Sequence, residues 1–379
     1  MKYRSFNYQG INPTQKNNPS KGLSKNIRVK FILSVLGIVA ALFTFKLVVT
    51  PIVSALVYMV KESSATISYL ITRQGLKKDE QGYSNFLLLG IDQRGVGSSI
   101  LTDTIMILRY NESTNKVYMI SLPRDLWVKI PVFGQVQSYY TKINSVYTIG
   151  NDYEYSSDSD KDPQNGLGLL SKIIKDDLAI SIHYATQVNF NSFERIIDAV
   201  GGIDIDVENT FTDYMYPREG YENAPENERY EIVSFKVGMT YMNGETALKY
   251  ARSRHSIGIE GSDFARARRQ QKVVLAMKDK LLQNETLLNL NTLKEIYLTV
   301  SQEVDSNVRP SEFPMFYDIF KKVGSNINDI KLIVLNDGPD EGGLLYSPDP
   351  NEYGGAFVLL PRVSWLNLQL ELEKLITQE

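Results

Sequence analysis

Apolar positions change their period several times along the chain, and each change predicts an element. The longest apolar stretch comes first. Residues 31–60 are apolar apart from Lys46, Thr44, Thr50 and serines, and they follow directly on Arg28 and Lys30. Twenty helical residues cover the ~30 Å hydrocarbon layer of a bilayer, so the stretch predicts one transmembrane anchor, with Lys46 snorkelling to the far interface. Basic residues before the span put residues 1–30 in the cytoplasm and all that follows outside. The alternative is a cleaved signal peptide with Phe31–Phe45 as its apolar region and Val53-Ser54-Ala55 at the cut; it exports the same body. After a linker over 61–83, Asn85–Asp92 (NFLLLGID) begins as a continuous apolar run of buried-strand type. Thr104–Tyr110 and Lys116–Ser121 predict two more strands, separated by the turn residues Asn111–Asn115.

Helical spacing appears over Gly168–Leu178, and Tyr184–Val188 alternates like a strand. Asn191 is expected to cap a helix through Val200, closed by Gly201-Gly202, and Ile203, Ile205 and Val207 alternate on a following strand. Asn243 caps a helix through Tyr250, and a longer helix is predicted from Phe264 to about Leu282. Strands interleaved with helices predict a layered α/β domain over 84–283. Two polar, acidic segments, Asn151–Asn165 and Tyr214–Glu231, read as exposed insertions. Beyond it, a helix to about Gln302, an apolar stretch over 311–323, a strand Ile330–Leu335, a Pro/Gly-rich stretch and a helix near Trp365–Ile376 predict a separate small α/β unit over 284–379.

Composition narrows the chemistry. With 43% hydrophobic and 22% charged residues the bulk is that of a folded protein of two to three units. There is no cysteine, which excludes disulfides, thiolate metal sites and a cysteine nucleophile, and His183 and His255 are the two histidines. A catalytic metal would have to be a hard cation held by carboxylates. Seven Lys or Arg and no acid lie in residues 1–30, which leaves 34 basic against 44 acidic residues, a net charge of −10, for the rest. A nucleic-acid-binding body is expected to be basic, so nucleic acid is not an expected partner. The 23 tyrosines suit carbohydrate or interface surfaces, although ordinary core and surface positions are the commoner use.

Asp92 ends one strand and Asp103 precedes the next; acids at strand ends can share a divalent cation, although acidic turns and caps are the commoner use. Arg124 follows a third strand. Arg252, Arg254, Arg266, Arg268 and Arg269 cluster within eighteen residues. Arginine forks match phosphate oxygens bidentately; the alternative is that they pair with Glu260, Asp263 and nearby acids.

An ordered series of motifs, LLLGID, TDT, SLPRDLWVKIP, KINSVYTIG, VNFNSFERIIDAVGGIDIDV, MNGETALKYARSR and DFARARRQQ, resembles the LytR-CpsA-Psr family of envelope glycopolymer ligases over residues 84–283. The resemblance implies a layered α/β/α domain with a central mixed sheet and an apolar tunnel between sheet and helices for a lipid tail. It implies a transferase that moves a phosphate-linked glycan from a polyprenyl pyrophosphate carrier to peptidoglycan or another envelope acceptor at the membrane. It implies Mg2+ on Asp92 and Asp103, and Arg124, Arg252, Arg254, Arg266 and Arg269 on the pyrophosphate with Asp263 and Gln270 nearby. Asp103 or Asp263 would take the acceptor's proton, with Arg124 beside the reacting phosphate. Leu101 stands where the family commonly has arginine, which leaves Arg94 as a substitute; Ala265 stands where a glycine is usual, and Arg268 has no counterpart. Two other functions use the same residues: a phosphatase acting on the lipid pyrophosphate, and a non-catalytic binder of lipid-linked glycans.

Overall fold

The computed structural model describes residues 75–92, 101–131, 137–151, 165–221, 223–281, 305–307, 329–338 and 343–377. The expected anchor at 31–60, the helix over 287–302, the stretch over 311–323 and Arg94 lie outside them. No helix of the described residues is long and apolar enough to cross a membrane.

The strands are β1 (Tyr83–Asp92), β2 (Leu101–Asn111), β3 (Lys116–Leu122), β4 (Trp127–Ile130), β5 (Tyr139–Lys142), β6 (Tyr184–Asn189), β7 (Ile203–Val207), β8 (Phe211–Pro217), β9 (Tyr230–Phe235), β10 (Gly238–Met242), β11 (Asp305–Ser306), β12 (Asp329–Val334), β13 (Leu345–Tyr346) and β14 (Leu360–Pro361). The helices are α1 (Val146–Gly150), α2 (Gly166–Leu178), α3 (Phe190–Ala199), α4 (Gly244–Arg252), α5 (Asp263–Leu281) and α6 (Trp365–Thr377). A six-stranded mixed sheet runs in the order β11-β6-β1-β2-β3-β12. The β1–β6 and β3–β12 pairs are parallel, the others antiparallel.

Its central strands are buried on both faces, so their side chains alternate between two cores. Phe86, Met106, Leu108, Met119 and Tyr184 pack against α3, α4, α5 and β7. Leu87, Leu89, Ile107, Ile120 and Leu122 pack against α1, α2 and α6. This continuous burial is what the unbroken apolar runs predicted, and the layers are helix, mixed sheet, helix as expected.

Local signals gave the helix ends unevenly. Asn243 does cap α4, its side chain accepting the Thr246 N–H at 2.9 Å. α3 starts earlier than expected: Asn189, not Asn191, accepts the Ser192 N–H at 2.8 Å, because the chain can turn straight from β6 into helix. The expected insertion over 214–231 is the outer half of the β8–β9 hairpin. Among the described residues, the C-terminal region contributes to the central sheet. β12 pairs along β3 and closes an edge that would otherwise expose unpaired backbone, and α6 packs on α2, its Gln369 side-chain N–H donating to the Asp177 carbonyl at 2.9 Å.

Asp177 near the end of α2 carries a charge problem. Among the described residues its buried Oδ2 has no hydrogen-bond partner, and burial, then Asp176, push its pKa up to about 7. An unfolded aspartate titrates near 3.9, so the fold binds the extra proton between those values and stability falls as pH rises from about 4 to about 7. Asp177→Asn should remove about 1–2 kcal/mol of that loss, after allowance for its partial exposure. Urea unfolding at pH 5 and pH 8 measures this; an unchanged pH slope in the variant would contradict it.

Candidate functional site

The candidate residues are brought together where the sheet's β2 and β3 ends meet α4 and α5. Asp103 reaches the site through a bulge. β1 and β2 pair Gly90 with Thr104 and then Ile91 with Thr102, so Asp103 is the extra residue, inside β2 and not before it as expected. A bulge leaves its residue off the ladder and re-aims its side chain. Gly90 permits the close pairing here, since a Cβ on it would lie 2.9 Å from the Thr104 side chain.

Arg124 sits in the tight turn Pro123–Leu126, closed by the Leu126 N–H donating to the Pro123 carbonyl at 3.1 Å. Its Nη1 donates to Asp103 Oδ1 at 3.1 Å and its Nε to Asp263 Oδ2 at 3.1 Å, with Asp125 Oδ2 at 3.4 Å from Nε. Asp263 opens α5, where a carboxylate is favoured by the helix dipole, and its Oδ1 lies 3.5 Å from Arg266 Nη1. One guanidinium therefore ties a β2 carboxylate to an α5 carboxylate. Burial alone would pull the Arg124 pKa down, but Asp103, Asp263 and Asp125 together carry it above its ordinary value. Burial would raise Asp263, yet Arg266, Arg124 and Arg254 hold it below the usual carboxylate range. Burial, only partly offset by Asp263, lowers Arg266.

Asp103, Arg124, Arg252, Arg254, Arg266 and Gln270 line one polar cleft of about 550 Å³, counted to its open mouth. Arg252 is held between rings, its guanidinium carbon 3.9 Å from the centre of Phe190 and 5.5 Å from that of Tyr216, with Nη1 donating to the Tyr216 hydroxyl at 3.3 Å. Thr104, Phe190, Arg252 and Gln270 also line a second cavity of about 780 Å³, likewise counted to its open mouth, which shares these walls with the first. Apart from Asn189 its other walls are apolar, among them Leu88, Met106, Val188, Phe193, Val274 and Met277. A charged cleft thus adjoins an apolar cavity between the sheet and α3, α4 and α5.

Not every expected residue enters the cleft. Arg269, three positions after Arg266, is offset by only ~60° around α5, yet its side chain meets the Tyr250–Glu260 segment and not the cleft. It is 2% exposed and donates to the Tyr250 carbonyl at 3.0 Å, the Glu260 carbonyl at 3.0 Å, Glu260 Oε2 at 2.6 Å and the Ser253 carbonyl. Here the alternative pairing with Glu260 is what the fold adopts: Arg269 fastens the loop that presents Arg254. Arg268 is exposed. Leu101 pairs with Asp92 at the backbone, and nothing is described of the Asp92 side chain.

His255 and Asp213 also line the cleft, although the sequence did not mark them as site residues. Burial, followed by Arg254, lowers the pKa of His255. Its place directly after the Arg252–Arg254 pair was the available signal. Asp213 of β8 is 1% exposed and accepts the Arg254 and His255 N–H groups at 2.9 and 3.3 Å; no local pattern marks a strand residue that will meet a loop forty positions later.

Residues 54–349 match the model of the LytR_cpsA_psr family. The chain belongs to that family. Among LytR_cpsA_psr relatives, the Regulatory protein MsrR of Staphylococcus aureus (strain COL) is 32% identical over 211 residues, 55% of this chain and 52% of the relative. The polyisoprenyl-teichoic acid–peptidoglycan teichoic acid transferase TagV of Bacillus subtilis (strain 168) is 26% identical over 229 residues, 60% of this chain and 50% of that protein. The chain spans about half the length of these curated relatives. The fold is that of solved structures: protein gbs0355 from Streptococcus agalactiae (TM-score 0.56, 23% identity, 79% of this chain and 90% of that one) and TagT bound to LI-WTA (TM-score 0.51, 20% identity, 79% and 93%).

Among the described residues no three His, Asp or Glu side chains gather as a metal cage. Asp103 nonetheless offers to the cleft the hard oxygen that magnesium takes.

Proposed function

We propose that this protein transfers a phosphate-linked glycan from a polyprenyl pyrophosphate carrier to an acceptor hydroxyl of the cell envelope, peptidoglycan among the candidates, from a membrane-anchored position outside the cytoplasm. The observation that carries it is the joining of an arginine-lined cleft to an apolar tunnel through shared walls. An anionic headgroup on a long hydrocarbon tail is the ligand shape such a pair of cavities accepts. The names of TagV and of the Oceanobacillus iheyensis TagU, both teichoic acid transferases, support the same reading.

In this reaction the acceptor oxygen bonds to the glycan-linked phosphorus, the bond from that phosphorus to the bridging oxygen breaks, and polyprenyl phosphate leaves. Charge spreads over the phosphoryl oxygens, and positioned guanidinium groups stabilise it where water is excluded. Arg124, Arg252, Arg254 and Arg266 are the groups in place, with Gln270 as a neutral donor. Asp263, held below the ordinary carboxylate range by its arginines, acts by orienting Arg124 and Arg266; Asp103 receives the acceptor's proton. Magnesium held by Asp92 and Asp103 would add charge neutralisation at the pyrophosphate.

The test is transfer to purified peptidoglycan from a lipid-linked glycan donor, read by mass spectrometry of the released lipid and the product. Polyprenyl phosphate released without a glycosylated acceptor would replace transfer by hydrolysis. Val274→Trp, which fills the tunnel, should cut affinity for a long-chain prenyl pyrophosphate by tenfold or more, about 1.4 kcal/mol, and leave inorganic pyrophosphate binding unchanged. Equal loss of both ligands would remove the tunnel from the lipid site.

A further inference from the structure

The turn that carries Arg124 is held from two sides. The Arg124 carbonyl accepts the Asn144 N–H at 3.3 Å from the segment before α1. On the other side lies Leu359, more than two hundred positions later. Its N–H donates to the Asp125 carbonyl at 2.9 Å and its carbonyl accepts the Trp127 N–H at 2.9 Å, a one-residue parallel bridge centred on Leu126. Leu359 is 2% exposed, and the Trp127 and Tyr353 rings meet edge-on at 5.7 Å beside it. The strand leading into the turn is fixed by the same C-terminal region: β12 runs along β3, and the Leu335 N–H donates to the Ser121 carbonyl at 3.1 Å.

A second crosslink reaches α5. Gln271, 1% exposed and next to the cleft-lining Gln270, places Nε2 at 2.9 Å from Ser121 Oγ, 3.1 Å from the Ile333 carbonyl and 3.4 Å from the Met119 carbonyl. One amide thus joins the arginine-bearing helix to β3, three residues before Arg124, and to β12. Arg124 must meet Asp103 on β2 and Asp263 on α5 at once, both at 3.1 Å, so a small shift of the turn breaks one of the two contacts.

We propose that the C-terminal region positions Arg124: Leu359 clips the Arg124–Asp125 turn by its backbone, and Gln271 sets β3 and α5 at the separation the guanidinium spans. This rests on the reading of the cleft as a phosphate site. Leu359 and Gln271 are positioning residues; neither lines the cleft.

The experiment is a set of double-mutant cycles on the full-length protein, with inorganic pyrophosphate binding measured by titration calorimetry. Leu359→Pro removes the N–H that grips Asp125, and it should weaken binding about tenfold alone and add almost nothing in an Arg124→Ala background. In an Arg252→Ala background, across the cleft, the two losses should multiply. Leu359→Ala keeps both backbone bonds; it should lower the melting temperature and change affinity by less than about twofold. Gln271→Leu, read in the same two cycles, decides the matter if Leu359→Pro does not fold, and should likewise be silent once Arg124 is gone. Losses that multiply with Arg124→Ala as fully as with Arg252→Ala would make the C-terminal contacts merely structural and overturn the inference. If Arg124→Ala and Arg252→Ala each leave pyrophosphate binding unchanged, the phosphate reading of the cleft falls and the inference with it.

Discussion

Arg124→Ala should reduce glycan transfer by about three orders of magnitude, the scale of losing a charge-stabilising arginine from a phosphoryl-transfer site. The size follows from the two jobs of this side chain. It lines the cleft, where the proposed reaction makes it a phosphate ligand, and it is the cation between Asp103 and Asp263, each 3.1 Å away. Without it the carboxylates repel one another and the phosphate as well. Arg124→Lys keeps the charge, yet a single ammonium cannot bridge both acids in the geometry of the fork, so transfer should still fall by about tenfold to a hundredfold. The melting temperature should move little, because Arg124 is 20% exposed and its loss leaves solvent-reachable acids. Steady-state transfer kinetics and a thermal melt on the same preparations check both halves. Activity within tenfold of wild type in the alanine variant would exclude Arg124 from the reaction.

Arg269→Ala should do the opposite: lower stability by about 3–5 kcal/mol, the cost of stranding a buried charge partner, and so the melting temperature by on the order of 10 °C. Arg269 is as buried as Arg109 in the sheet, and four acceptors converge on it from Tyr250, Ser253 and Glu260. Its removal leaves three carbonyls without the guanidinium and the Glu260 carboxylate with only the Asn209 amide as side-chain donor among the described contacts. Arg269→Lys restores a charge but not the fork and should remain destabilised by about 1–3 kcal/mol. In the folded fraction, pyrophosphate affinity should fall less for Arg269→Lys than for Arg254→Ala, which should bind poorly and melt normally. Arg268→Ala, on an exposed position, should change neither. Normal melting with lost binding in Arg269→Ala would place it on the phosphate after all.

These two arginines mark the boundary of what could be read from the chain. Apolar runs such as Phe86–Leu89 and Ile105–Tyr110 are dictated by burial on both faces, so the central sheet and its layers were legible, as were the Asn243 cap and the long helix α5, whose signals lie within a few residues of each other. The motif order likewise pointed to the family and to Asp103, Arg124, Arg252, Arg254, Arg266 and Gln270, all of which line one cleft. The sequence could not separate Arg266 from Arg269, because both are arginines on one turn of helix and only the packing of the Ser253–Glu260 loop against α5 buries the second. Nor could it reveal the bulge that turns Asp103 inward, which is a property of the pairing between β1 and β2. Asp213 and Leu359 reach the site through contacts that span about forty and more than two hundred residues, and the C-terminal strand pairs with β3, which no local pattern in either segment announces. Local pattern determined the elements and the chemical types at the site, because propensity, capping and periodicity act over a few residues. Which arginine lines the cleft and which holds the fold was decided by tertiary structure alone, since burial and ion pairing depend on surfaces that come together only when distant segments pack.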